Sequence, residues 1–189
     1  MTEIRSTGIV GLGGNLKFKG SATSSTLVRA ISRLAAGDVT IRAVSRFFQT
    51  PCFPAGAGPD YVNAAVLVET TLDPQSLLDR LNGIEAEFER DRQQRWGMRT
   101  LDMDILAFGQ TILPDSEVQE YWRNLSPEVQ VSATPTQLIL PHPRLQDRAF
   151  ALVPMVDIAP DWVHPVLNKT ARQLCAELPD AEIQAVRAI

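Results

Sequence analysis

Two hydrophobic periods alternate along this chain, and the order in which they succeed one another predicts a fold. "GIVGL" (8–12) is a short apolar strand that runs into Gly13, Gly14 and Asn15. "SSTLVRAISRLAA" (24–36) then puts Leu27, Ile31 and Leu34 on one helical face behind a serine cap. "DVTIRAVSRFFQT" (38–50) and "YVNAAVLVET" (61–70) return to the period of two that marks strands, the second with Val62, Ala64, Val66 and Val68 on one side. The stretch between them, "PCFPAGAGP", is rich in proline and glycine and too long for a tight turn, so it predicts a surface loop of the kind that carries function. Asp73-Pro74 opens a second helix whose stripe is Leu77, Leu81, Ile84 and Phe88, expected to run to about Arg92. "TLDMDILAF" (100–108) closes the series as a strand.

The resulting order, β-α-β-β-α-β, is the ferredoxin-like split βαβ pattern, an α+β class with an antiparallel sheet flanked by helices. Beyond Gly109 the signal weakens. Residues 110–137 are polar, with prolines and no firm period, and read as an insertion that is helical in part. "LILPHPRL" (138–145) predicts a strand entering a Pro-His-Pro turn, and "DRAFALVPMVDIA" and "KTARQLCAELP" predict two short helices. With no repeat or linker, residues 1–189 read as one domain.

Composition narrows the function classes. At 44% hydrophobic and 21% charged the chain can bury a real core, and a formal charge of -4 argues against a nucleic-acid partner, which needs a basic surface. No apolar run approaches the roughly 20 residues needed to span a bilayer, so the expectation is a soluble cytoplasmic protein with no membrane partner. Cys52 and Cys175 lack any metal-ligand or disulfide-framework spacing.

The chemistry gathers in "RWGMRTLDMDIL" (95–106). On a strand, residues two apart point the same way with Cα atoms about 6.5 Å apart, so Asp102 and Asp104 share a face while Leu101, Met103 and Ile105 take the other. Paired carboxylates suit Mg²⁺, which prefers oxygen ligands and bridges proteins to phosphates. Arg90, Arg92, Arg95 and Arg99 stand nearby and suit a polyphosphate. Taken singly, these features equally fit an exposed polar strand face and a solvated helix end paired with Glu85, Glu87 and Glu89. His142 between prolines and Arg148 six residues on are further candidates for phosphate contact. There is no P-loop and no complete GxGxxG, so a phosphate site here uses metal and arginine. Asn63 lies in mid-strand opposite the valines, with Phe53, Tyr61, Trp96 and Phe150 as candidate neighbours. An amide among aromatic rings suits a flat polar heterocycle, and equally an ordinary core with a satisfied amide.

These motifs together resemble the 6-hydroxymethyl-7,8-dihydropterin pyrophosphokinases of folate biosynthesis. The resemblance runs from "GLGGN" through "QTPCF", "DYVNAAV", "IEAEFERDRQQRWGMRTLDMDIL" and "LPHPRLQDRAFALVPMVDIAP" to His164-Pro165. It implies transfer of the β,γ-diphosphate of ATP to the pterin's primary alcohol, with release of AMP. It further implies that Asp102 and Asp104 hold two Mg²⁺ ions and that Arg90, Arg92 and Arg99 serve catalysis beside them. ATP would be bound by Glu85, Arg92, Trp96, Arg99, Ile105, His142 and Arg148, and the pterin by Thr50, Pro51, Phe53, Tyr61, Asn63, Trp96, Asp102 and Phe150. A monomer is the working expectation. The chain departs from the family's usual pattern at Met98 and Cys52, where proline is frequent, at Glu89, where glycine is common, and at Gly14, where serine is usual.

Two other classes compete for the same residues. A metal-dependent glycosyl- or nucleotidyltransferase would use the DxD pair but leave the Asn63 pocket unexplained. A ferredoxin-like regulatory or RNA-binding module sits poorly with the acidic balance.

Overall fold

The computed structural model describes residues 5–52, 56, 58–88, 98–126, 129 and 133–189. Its centre is an antiparallel sheet. Strand β1 (Ser6–Gly14) lies between β4 (Tyr61–Thr70) and β5 (Asp102–Phe108), and β4 in turn pairs with β2 (Val39–Val44) and β3 (Phe48–Thr50). A two-residue strand, β6 (Arg187–Ala188), pairs with the outer side of β3. β3 and β4 are neighbours both in the sheet and in the chain, whereas helices α1 (Thr23–Leu34), between β1 and β2, and α2 (Pro74–Glu87), between β4 and β5, carry the crossovers that the split βαβ pattern requires.

Period-two alternation explains why the sheet buries both faces. Val10 and Leu12 of β1, Ala64, Val66 and Val68 of β4, and Leu101, Met103 and Ile105 around β5 point to one side. They meet Leu27, Ala30 and Leu34 of α1 and Leu77, Leu81 and Ile84 of α2. Each of these buried leucines contributes roughly 1.5–3 kcal/mol of transfer free energy. On the other face Ile9, Leu106 and Ala107 pack against α4 (Ala149–Ile158) and α5 (Ala171–Ala176) through Leu152, Met155, Ala171 and Leu174. That apolar contact covers half of the second face. The remainder carries polar side chains.

Several local expectations are corrected. The run 38–50 is two strands, because the Ser45 hydroxyl replaces a backbone carbonyl as acceptor for the Ala65 N–H at 2.9 Å and the ladder breaks there. Helix α1 has no serine cap; its N-cap is Ala22, without a side-chain hydrogen bond. Helix α2 starts as predicted, with Asp73 accepting from the Ser76 N–H at 2.8 Å and Pro74 in the first turn, but it ends at Glu87, and the expected extension over 89–92 lies outside the described residues. "LILPHPRL" forms no strand: Pro141 and Pro143 remove the donors a ladder needs, leaving one bridge between Leu113 and Leu140 and then a 3-10 turn over Leu145–Asp147.

Within 110–137 the described residues include helix α3 (Ser116–Arg123), capped by Asp115. Its buried Gln119 donates to the Pro141 carbonyl at 3.2 Å, and the Arg123 carbonyl accepts from the Arg144 guanidinium at 3.2 Å. The segment therefore braces the turn that carries His142. A last short helix, α6 (Asp180–Ala185), leads into β6. Among the described residues no helix is long and apolar enough to cross a membrane.

Candidate active site

The polar half of the second face is laid out by strand register. Phe48, Asn63, Gly13 and Asp102 stand opposite one another across β3, β4, β1 and β5, and Ala65, Gly11 and Asp104 form the next row. Gly11 and Gly13 sit in the middle of both rows, and their lack of a side chain keeps the floor low. A Cβ on Gly13 would stand 2.7 Å from Asn63 Oδ1, and one on Gly11 would press on the Leu106 side chain at 3.2 Å. Glycine at every second position of an apolar strand is the signal for such a close approach, and it was present in "GLGG".

Over this floor lies a narrow cavity of about 40 Å³ bounded by Gly11, Gly13, Asn63, Asp102, Asp104, His142, Arg148 and Phe150. A roomier depression of about 380 Å³, lined mainly by apolar groups such as Ile9, Leu67 and Trp162, lies at the far end of the sheet. It holds little polar chemistry, and the converging charged groups decide for the smaller one.

Asp102 and Asp104 both project into the cavity, as strand geometry predicts, and both are partly exposed. The Arg99 guanidinium pairs with Asp102 at 2.5 Å and also engages the Tyr61 hydroxyl. Burial is the main cause that raises the Tyr61 pKa, and Arg99 opposes it. Arg148 occupies the N-cap of α4, 5.6 Å from the Phe150 ring centroid. Burial lowers its pKa while Asp104 and Asp102 favour its charged form, so it serves as the cavity's fixed cation facing two carboxylates.

His142 is held in one tautomer. Its Nδ1 accepts the Arg144 backbone N–H at 3.1 Å, which leaves the proton on Nε2 as a donor, and its own N–H donates to the Leu106 carbonyl at 2.9 Å. Burial, with Arg148 and Arg144 adding to it, pushes its pKa down to about 3, so the ring is neutral at physiological pH.

On the opposite side of the floor, Asn63 is 5% exposed and donates to Thr50 Oγ1 at 2.7 Å, while Tyr61 shares its strand face two residues away. Pro51 follows as an exposed residue and Phe150 is half exposed above.

Glu85 and Ile105, both expected to contact ATP, are not among the residues lining this cavity. Glu85 is 1% exposed on α2, and its Oε1 accepts the Met103 N–H at 2.7 Å. Because β5 is the edge of the sheet, that backbone donor has no strand to pair with, and the carboxylate satisfies it between the two aspartates. The Ile105 side chain is 3% exposed in the core beneath α1 and α2, on the face away from Asp102 and Asp104, so only its backbone is available to a ligand. Phe53, Arg90, Arg92 and Trp96 lie outside the described residues.

Asp102 and Asp104 offer hard oxygen donors on one face, the donor chemistry that fits Mg²⁺. Among the described residues no cluster of three or more His, Cys, Asp or Glu completes a metal cage. Phosphate oxygens and water would complete the shell of an ion held by these two carboxylates, which is how Mg²⁺ is ordinarily bound with nucleotides.

Comparison with known proteins points to one family. Residues 9–160 match the family model described as 7,8-dihydro-6-hydroxymethylpterin-pyrophosphokinase (HPPK). A 2-amino-4-hydroxy-6-hydroxymethyldihydropteridine pyrophosphokinase of Synechocystis is 34% identical over 90% of this chain and 75% of its own. One of Methylorubrum extorquens is 33% identical over 94% and 96%, and one of Haemophilus influenzae 35% over 84% and 85%. Among solved structures, a Plasmodium falciparum HPPK-DHPS variant with SDX-DHP superposes with a TM-score of 0.65 at 16% identity. It covers 93% of this chain, which spans only 46% of that longer one, and the likeness is one of fold.

Proposed function

The chain belongs to the 7,8-dihydro-6-hydroxymethylpterin-pyrophosphokinase family, and we propose that the cavity over Gly11 and Gly13 is where it carries out that family's reaction. It is an ATP-dependent diphosphotransferase of folate biosynthesis that acts on 6-hydroxymethyl-7,8-dihydropterin. The pterin hydroxymethyl oxygen bonds to the β-phosphorus of ATP, the bond from that phosphorus to the α,β-bridging oxygen breaks, AMP leaves, and the hydroxyl proton passes to solvent.

The observation that carries the assignment is one shared cavity in which two carboxylates, a partly buried arginine and a neutral histidine face an amide. Asp102 and Asp104 would hold two Mg²⁺ ions, which supply charge neutralisation on the phosphates and bring donor and acceptor in line. Arg148 and Arg99 balance the charge on the transferred and leaving groups. His142 donates from Nε2 to a phosphate oxygen without adding a positive charge. By the family resemblance we assign Arg90 and Arg92 to charge balance on the phosphates, and Trp96 and Phe53 to binding of the pterin.

The pterin lies along the Asn63 side, its edge read by the amide and by Thr50, its faces by Tyr61 and Phe150. Asn63 is held by Thr50 before any ligand arrives, which spares it rotamer entropy on binding. No side chain is assigned as an obligatory general base. We place the reaction in the cytoplasm, with residues 1–189 acting as one unit and 110–137 bracing the His142 turn.

Incubation with Mg²⁺, ATP and 6-hydroxymethyl-7,8-dihydropterin should yield AMP and the pterin diphosphate in equal amounts. ADP as the nucleotide product would refute diphosphoryl transfer.

A further inference from the structure

We propose that Asn15 is a positioning residue that fixes the pterin side and the nucleotide side of the site against each other; the inference rests on the functional reading above. Asn15 is 3% exposed, directly after β1, and three segments converge on it. Its Oδ1 accepts the Arg99 N–H at 2.9 Å, and its own N–H donates to the Arg99 carbonyl at 2.9 Å, which also accepts from Leu16 N–H at 3.0 Å. Its Nδ2 donates to the Pro59 carbonyl at 3.1 Å.

Arg99 therefore has both of its backbone polar groups held by one residue, while its side chain engages Asp102 and Tyr61. Pro59 lies two residues before Tyr61, so the second contact sets where that ring enters β4. The neighbouring Gly14 lets the segments come this close: a Cβ there would stand 2.5 Å from the Thr100 carbonyl oxygen. Thr100 in turn donates to the Phe88 carbonyl at 2.5 Å, tying the same segment to the end of α2.

An amide is the side chain that suits this place. It accepts at one atom and donates at the other at fixed separation, so it can pair with an N–H on one segment and a C=O on another. Aspartate retains the acceptor for Arg99 but turns an oxygen toward the Pro59 carbonyl. Alanine loses both contacts.

The two substitutions separate the two roles. Asn15→Asp should keep Arg99 N–H exchange and the Kd of a non-hydrolysable ATP analogue with Mg²⁺ within about threefold of wild type. Its Kd for 6-hydroxymethyl-7,8-dihydropterin should rise by about tenfold, the scale of losing one hydrogen bond and facing two oxygens. Asn15→Ala should accelerate Arg99 amide exchange by about tenfold and weaken both ligands. Wild-type exchange and wild-type affinities in Asn15→Ala would overturn the inference, as would an equal loss on both sides in Asn15→Asp. Should Asn15→Ala fail to fold, Asn15→Asp alone decides between these outcomes. If wild-type protein binds neither ligand, it is the functional reading that fails first, taking this inference with it.

Discussion

His142 offers a test in which structure dictates both sign and size. Its folded-state pKa is pushed from 6.5 to about 3, so between those values the unfolded chain binds a proton that the folded one refuses. Stability from the neutral ring is fully present above pH 6.5 and is lost as pH falls toward about 3. At about 1.4 kcal/mol per pH unit, the fall from pH 6.5 to pH 4 costs about 3 kcal/mol. The ring's residual contact with water makes this a ceiling. His164, fully buried with its pKa lowered to about 4, adds a slope of the same sign over much of the same range. In His142→Asn the new carbonyl can accept the Arg144 N–H in place of Nδ1, and nothing there titrates. Urea unfolding at several pH values between 7 and 4 should give a variant whose stability falls less steeply by up to about 1.4 kcal/mol per unit, with the His164 slope remaining. Parallel slopes for wild type and variant would refute the reasoning.

The remaining expectations concern the floor and its supports. Asp104→Asn should lower kcat by about a hundredfold or more, as removal of a charge-handling group does, with an unchanged unfolding midpoint in urea; full activity would remove Asp104 from the ion-binding pair. Glu85→Ala should cost about 1–3 kcal/mol for the stranded Met103 N–H, and Glu85→Gln, which keeps an acceptor there, should recover most of it in the same denaturation assay. Gly13→Ala should push Asn63 off Thr50, raising the pterin KM by about tenfold while the KM for ATP changes little; equal effects on both substrates would show that the row across β1 and β4 does not form the pterin side.

The order of elements and the convergence of Asp102 and Asp104 were legible in the sequence because the helical and strand periods are set by local residues. The break at Ser45 was hidden, since it depends on a hydroxyl competing for a neighbouring strand's N–H, a contact between residues 20 positions apart. Glu85 read either as a solvated acid of a helix end or, through the resemblance, as an ATP contact, and only the sheet order reveals that it faces an edge strand. Asn15 gave no signal beyond following two glycines, because its partners, Pro59 and Arg99, are distant in the chain. His142 was legible as a candidate, but its tautomer comes from the Arg144 N–H and its neutrality from burial first and then from Arg148 and Arg144, none of which a pattern can weigh.

The strand β5 carries core residues and acids in strict alternation, which makes insertion and deletion far more dangerous there than substitution. Adding or losing one residue between Leu101 and Ile105 would turn the carboxylates inward under α1 and α2 and the aliphatic chains outward into the cleft. Activity and foldedness are thus inherited together over this stretch. Drift that shortens or lengthens it is purged as misfolding before it is ever tested as catalysis.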